Sequence, residues 1–286
     1  MTDFLHTELA EAERGPGARF HVIPMPLERT VSFGAGTAGG PEAILEASGE
    51  LERIVPGPGG WVEPCARGIH TRPAPDCAGP LPEVMAGLRA ATREVAAAGS
   101  IPVTLGGEHS LTFGAAMGVA DALGRPLGLV QIDAHADLRR AYGGEPHSHA
   151  SVMDLLSREG ISIAQLGVRA LSREELAARE AFGVIAWDGP ALAHEPALAP
   201  RLPEDFPEDL YISFDVDGLD PAEMPATGTP VPGGLAFERA LALVEGLVAG
   251  RRVRGIDVVE MAPSPALPHC DFAAALLAYR LMALAM

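Results

Sequence analysis

The chain has 286 residues, 48% of them hydrophobic and only 5% aromatic, so it can bury a substantial core of small aliphatic side chains and is not a disordered segment. Acidic residues outnumber basic ones 38 to 21, for a net charge of −17, which excludes nucleic acid and anionic membranes as natural partners and draws in small cations. No apolar run reaches the roughly 18 residues of a membrane span and no basic-then-apolar leader opens the chain, and Cys65, Cys77 and Cys270 are too few and too scattered for a disulfide framework, so a cytoplasmic, reducing setting is expected.

Residues 1–18 are polar and punctuated by Gly and Pro, which predicts a short helix or loose arm. A strand follows at Arg19–Ile23, then a glycine-dense loop, Thr30–Gly40, and a helix over Glu42–Glu52 opened by Pro41. That loop lacks both the dinucleotide-binding spacing and a P-loop lysine, so it is a poor phosphate cradle. Residues 55–82 have no clear period and read as surface structure with one irregular strand, Gly68–Thr71. Val84, Leu88, Ala91 and Val95 recur at helical spacing across Pro82–Ala98, and Gly99 ends that helix.

From there strands and helices alternate. Strand Ile101–Leu105 runs into Gly106-Gly107-Glu108-His109, and a helix covers Leu111–Leu123. Strand Leu127–Ile132 delivers Asp133, His135 and Asp137, and a long loop carrying Arg139, Arg140, His147 and His149 precedes the helix Val152–Glu159. Strand Ile161–Leu166, helix Ser172–Phe182 and strand Val184–Trp187 come next, while Ala191–Arg201 has no clear pattern. Strand Leu210–Phe214 delivers Asp215 and Asp217; a second glycine-rich loop, Thr227–Gly234, leads to helix Ala236–Ala249; strand Arg252–Val259 ends at Glu260; and Asp271–Ala285 is the last helix. Repeated strand–loop–helix units imply a single α/β domain over residues 1–286, a three-layer α/β/α sandwich with a central, mostly parallel sheet.

In a parallel sheet the strands' C-terminal ends lie on one edge, so His109, the Asp133/His135/Asp137 set, Asp215/Asp217 and Glu260 should converge. Alternate positions of an extended segment face one side, which aims the Asp133, His135 and Asp137 side chains at one spot. A lone His after two glycines is an ordinary loop residue, Asp215 and Asp217 can cap a turn, and Asp220 before Pro221 reads as an Asx turn. The triplet is different: three such groups together would repel or go unsatisfied without a cation. Four carboxylates, two imidazoles and no thiolate suit two divalent ions, manganese ahead of structural zinc, with zinc, iron, cobalt and nickel open.

Gly106–Ser110, Asp133–Asp137 and Ser213–Pro221 resemble the three signatures of the ureohydrolases, the arginase/agmatinase superfamily, supported by Ser32–Thr37 with Gly40-Pro41, Pro225–Pro230 and Asp257–Pro263. The resemblance implies a hydrolase with two Mn²⁺, forming homotrimers or homohexamers, that splits a small cationic guanidino compound into urea and an amine. It assigns His109, Asp133, His135, Asp137, Asp215 and Asp217 as metal ligands, with Asp133 and Asp215 bridging. Glu260 would receive the guanidinium, and His149 would bind substrate and shuttle protons, with His147 its rival and more in keeping with a loop residue.

Agmatine is the expected substrate. The positions at which arginases hold the α-carboxylate and α-amine of arginine carry Arg139, Glu145 and His147 here. Arg139 leaves guanidinobutyrate open, and aminopropylagmatine ureohydrolase, arginase, formiminoglutamase and a non-catalytic family member are the remaining alternatives. A two-metal phosphoesterase would have only Arg139, Arg140 and Arg169 to clamp phosphate.

Overall fold

The computed structural model describes residues 2–286. In chain order the strands are β1 (Phe20–Met25), β2 (Val55–Gly57), β3 (Gly60–Val62), β4 (Ile69–Thr71), β5 (Ile101–Gly106), β6 (Leu127–Ile132), β7 (Ser162–Leu166), β8 (Ile185–Trp187), β9 (Asp209–Asp215) and β10 (Arg252–Val259). Eight of them form one sheet in the order β4-β1-β5-β10-β9-β6-β7-β8, and every pairing in it is parallel. The chain passes from β5 to β6 across a gap that β10 and β9 later fill. The four central strands are thus the ones that carry the candidate site residues at their C-terminal ends.

The helices are α1 (Gly40–Ala47), α2 (Leu81–Ala97), α3 (Thr112–Leu123), α4 (Val152–Arg158), α5 (Arg173–Phe182), α6 (Gly189–His194), α7 (Phe237–Val248) and α8 (Pro268–Leu284). Strand alternation divides the core between them. Val130 and Ile132 of β6 join a layer with Ile44 of α1, Leu243 of α7 and Leu277 of α8, whereas Leu127 and Leu129 join Leu88 of α2, Val119 of α3 and Leu156 of α4. The result is the three-layer α/β/α sandwich that the alternation of elements implies.

Four local expectations change. The arm before β1 carries a short helix, the 3₁₀ turn Glu11–Glu13, and is not loose: Phe4 and Leu5 are fully buried, and their amides donate to Thr71 Oγ1 and Ser48 Oγ, each at 2.8 Å. Residues 55–62, read as irregular surface, form the antiparallel hairpin β2–β3. The unassigned stretch near Ala191 begins with the short α6, opened by Pro190. The first helix stops at Ala47 and continues as a 3₁₀ turn, Ser48–Glu50. The two glycine-rich loops pack face to face, and a β-carbon at Gly34 would lie 2.8 Å from the Cα of Gly228. All three cysteines are free, and among the described residues no helix is long and apolar enough to cross a membrane.

Candidate metal centre

β5 ends in Gly106, and Gly107 turns the chain so tightly that a β-carbon there would lie 2.0 Å from the carbonyl oxygen of Leu27. The turn buries His109 against three carboxylates: its Nδ1 is 2.9 Å from Asp137, 3.1 Å from Asp133 and 3.3 Å from Asp215. His135 Nδ1 lies 3.0 Å from Asp217 Oδ2 and 3.5 Å from Asp133 Oδ1. Two groups able to hold a metal ion, His109–Asp133–Asp215 and Asp133–His135–Asp217, therefore share Asp133.

Alternation alone does not produce this geometry. β6 ends at Ile132, and the triplet is divided: Asp133 and Asp137 turn to His109, while His135 turns to Asp217. The division needs Asp137 in a left-handed conformation (φ 51°), with its carbonyl accepting from Met153 at 3.0 Å at the start of α4. Each shared or central carboxylate is aimed by the backbone. Asp133 Oδ1 accepts from His135 N at 2.6 Å, Asp215 Oδ1 from Asp217 N at 2.8 Å, and Asp217 Oδ1 from Ala134 N at 2.9 Å. The second oxygens of Asp133 and Asp215 then face His109, and that of Asp217 faces His135.

Residues behind the donors, which the motif reading did not single out, determine what His109 offers. Asp257 accepts from Ser213 Oγ at 2.8 Å and from Thr112 Oγ1 at 2.9 Å. The only proton of Ser213 is thereby committed, so its oxygen accepts from His109 Nε2 at 2.9 Å. In the neutral ring Nδ1 then carries a lone pair, and that buried atom has no hydrogen-bond partner among its three carboxylate neighbours. A proton there would reach one carboxylate and leave the others facing one another. The donor set fits a cation among them.

A second chain of contacts holds Asp133. Gln165 Nε2 donates to Gln131 Oε1 at 2.6 Å, Arg179 of α5 donates to Gln165 Oε1 at 2.7 Å, and Arg179 in turn meets Asp188 at 3.0 Å. Gln131 and Ser213 each sit two residues before a donor, on the same strand face, and a polar residue inside an apolar strand is the signal that could have marked them.

Burial and like charge strain the cluster. Burial, then the carboxylates of Asp217 and Asp133, push Asp215 well above the usual range; burial and Asp133 push Asp137 up to about 7. Burial opposes charge on His135, but Asp133 and Asp217 outweigh it and carry the imidazole up to about 12. Without an ion the carboxylates draw protons to both rings: burial opposes charge on His109, yet Asp133, Asp137 and Asp215 outweigh it and raise the ring well above the usual imidazole value, and the two protonated imidazoles in turn hold Asp133 below the usual carboxylate range against its own burial. The cluster is short of positive charge.

Glu260, also left-handed (φ 63°), accepts from His109 N at 2.7 Å through one oxygen, and burial pushes its carboxyl up to about 8. It lines a cavity of about 390 Å³ together with His109, His135, Asp137, Asp215 and His149. Arg139, Tyr142, Leu171 and Glu175 line it too. Burial lowers His149, whose ring packs edge-on to Tyr142 at 5.4 Å. His147 points elsewhere, against Phe113 and 3.5 Å from Glu145.

The arginines make a poor phosphate clamp. Arg169 spends its donors on the carbonyls of Gly167, Asp217, Gly218, Leu219 and Val231, and Arg140 reaches Asp154 at 3.4 Å. Only Arg139 faces the cavity, over the Tyr142 ring and 3.9 Å from Glu175. Asp220 is a turn residue as expected, accepting from Ala222 N at 2.9 Å, and it also ties down Gly233 and Gly234.

The chain matches the model of the Arginase family over residues 18–284. It is 37% identical over 268 residues to N(1)-aminopropylagmatine ureohydrolase of Thermus thermophilus, covering 93% of this chain and 90% of that one. It is 30% identical over 260 residues to agmatinase of Chromobacterium violaceum, covering 87% and 77%. Among solved structures it is similar to agmatine ureohydrolase of Thermoplasma volcanium, with a TM-score of 0.79, 28% identity, and coverage of 97% and 94%.

Proposed function

The chain belongs to the arginase family and is a ureohydrolase, and from that premise we propose that it is a manganese enzyme with two ions that releases urea from a guanidino amine lacking an α-carboxylate. The observation that carries this reading is His109 Nδ1, within 3.3 Å of three buried carboxylates and without a hydrogen-bond partner, on the wall of the cavity that Glu260 and His149 also line.

His109, Asp133, Asp137 and Asp215 would hold one ion, and Asp133, His135, Asp215 and Asp217 the other. Ions bound there supply an activated water as nucleophile. Glu260 would receive the guanidinium, whose charge offsets the burial that pushes the carboxyl up. Gly107 O accepts from Glu260 N at 2.8 Å, so the acceptor is fixed by the same turn that places His109. His149 would take up and return protons at the nitrogen facing the cavity.

Glu175 on the cavity wall, 3.9 Å from Arg139, is the carboxylate that would meet the amine tail of agmatine or N(1)-aminopropylagmatine. The higher identity to a relative named for the longer amine makes N(1)-aminopropylagmatine the first compound to test. A second reading has its own observation: Arg139 faces the cavity and would suit the carboxylate of guanidinobutyrate. The acidic surplus favours a dication over a zwitterion. Urea release by the manganese-loaded chain from N(1)-aminopropylagmatine, agmatine, guanidinobutyrate and arginine decides among them. A tenfold preference for arginine or guanidinobutyrate, about 1.4 kcal/mol in transition-state binding, overturns the choice of an amine tail. Inactivity on all four overturns the reaction. A homotrimer or homohexamer is the proposed assembly, to be read by sedimentation.

A further inference from the structure

We propose that Glu108 and Thr30 lock His149 in the tautomer that carries its hydrogen on Nδ1 and leaves Nε2 as a bare acceptor toward the cavity. Glu108 is fully buried beside His109 and had no role in the motif beyond its place there. Its two oxygens are differently occupied. Oε2 accepts the backbone amides of Arg29 and of Thr30, the latter at 2.6 Å. Oε1 accepts the hydroxyl of Thr30 at 2.9 Å and that of Ser110. Four donors converge on this carboxylate, so it acts as an acceptor throughout.

The consequence passes to Thr30. Its hydroxyl has one hydrogen, and that hydrogen goes to Glu108. Toward everything else the oxygen can only accept. It lies 3.0 Å from His149 N, a donor, and 3.1 Å from His149 Nδ1. Two lone pairs meet two N–H groups, and the arrangement closes only if Nδ1 bears hydrogen. No protein group among the described residues hydrogen-bonds Nε2. In this form Nε2 can accept a proton and give it back while Nδ1–H keeps its hold on Thr30, so the ring does not turn between the two events.

Thr30 and Glu108 are positioning residues acting through His149. The tautomer rests on geometry alone, whereas its use in proton transfer rests on the ureohydrolase reading. The two are separated by neutron diffraction and kinetics on the full-length chain with its divalent ions. At alkaline pH, hydrogen should appear on His149 Nδ1 and not on Nε2; hydrogen on Nε2, alone or with Nδ1, overturns the tautomer. Glu108→Gln should invert it. The amide oxygen would keep the two backbone donors, and the NH₂ would donate to Thr30, freeing that hydroxyl to donate to Nδ1. In this variant kcat should fall about 10- to 100-fold with KM and metal content unchanged. If Glu108→Gln does not fold, Thr30→Val against Thr30→Ser serves, the first losing kcat and the second recovering most of it. Equal kcat in those two, or an inverted tautomer with unchanged kcat, overturns the role in proton transfer. A parent chain that releases no urea sinks the ureohydrolase reading while the neutron result still stands.

Discussion

Gln131 Nε2 donates to Asp133 Oδ2 at 2.7 Å, so the carboxylate common to both metal-competent groups is held from two residues earlier on its own strand. Replacing Gln131 by Met keeps length and removes that donor. Partners of this kind are worth roughly 10- to 100-fold in metal affinity. Gln131→Met should therefore weaken Mn²⁺ binding by about that factor, measured by calorimetric titration, with an unchanged circular dichroism spectrum. Parent-like affinity would show that Asp133 needs no such support.

Metal and fold should be coupled, since the uncompensated cluster lies inside the molecule. Chelated protein should melt lower than the Mn²⁺-loaded form, with about 2.7 kcal/mol of added stability at a free ion concentration of 100 Kd. Asp133→Asn should lose most of the increment. A melting temperature indifferent to Mn²⁺, by scanning calorimetry, contradicts the assignment.

Glu260→Gln should keep both ions, because an amide oxygen can still accept from His109 N. What disappears is the charge proposed to meet the guanidinium, about 1.5 to 3 kcal/mol for a hydrogen bond to a charged group. The expected signature is a fall in kcat/KM dominated by KM, with metal content by mass spectrometry at parent level. Loss of metal would move Glu260 into the ion-holding set.

At the opposite end of the sheet, Asp209 is buried among Arg125, Arg252 and Arg254, at 2.5, 3.0 and 2.6 Å. Burial alone would raise its carboxyl, but the three guanidiniums outweigh it and hold it well below the usual range. A carboxyl lowered in the folded state adds stability above its unfolded value of about 4 and loses it as pH falls toward the folded value. Asp209→Asn should thus cost about 2 kcal/mol at neutral pH and progressively less as the medium is acidified below pH ~4. Denaturant melts across that range check it; a pH-independent difference would mean that packing, not charge, holds the cluster.

Much of the sheet was legible because its strands are apolar runs that end in polar residues, as at Ile132–Asp133 and Phe214–Asp215. Convergence of the donors followed from parallel strands alone. The hairpin β2–β3 was not legible, since Pro56, Gly57 and Gly60 erase any alternation. The buried arm was hidden for a similar reason: Phe4 and Leu5 show no period, and their partners are 67 and 43 residues away. Distance also hid the Thr30–His149 contact, which spans 119 positions. Gln131 and Ser213 were visible as polar interruptions, but their partners depend on register between strands, such as Gln131 opposite Ser213 and Gln165.

Under the proposed reaction, the left-handed backbone at Asp137 and Glu260 sets stability and activity against each other. Non-glycine residues held this way cost on the order of 1 kcal/mol or more each. Asp137→Gly relieves one such cost and removes a buried carboxylate from a crowded cluster, so the metal-free variant should melt higher than the metal-free parent. An evolutionary search rewarding heat resistance alone would discard these positions early and drift toward durable, inactive descendants. Their persistence in a lineage would therefore record selection for turnover.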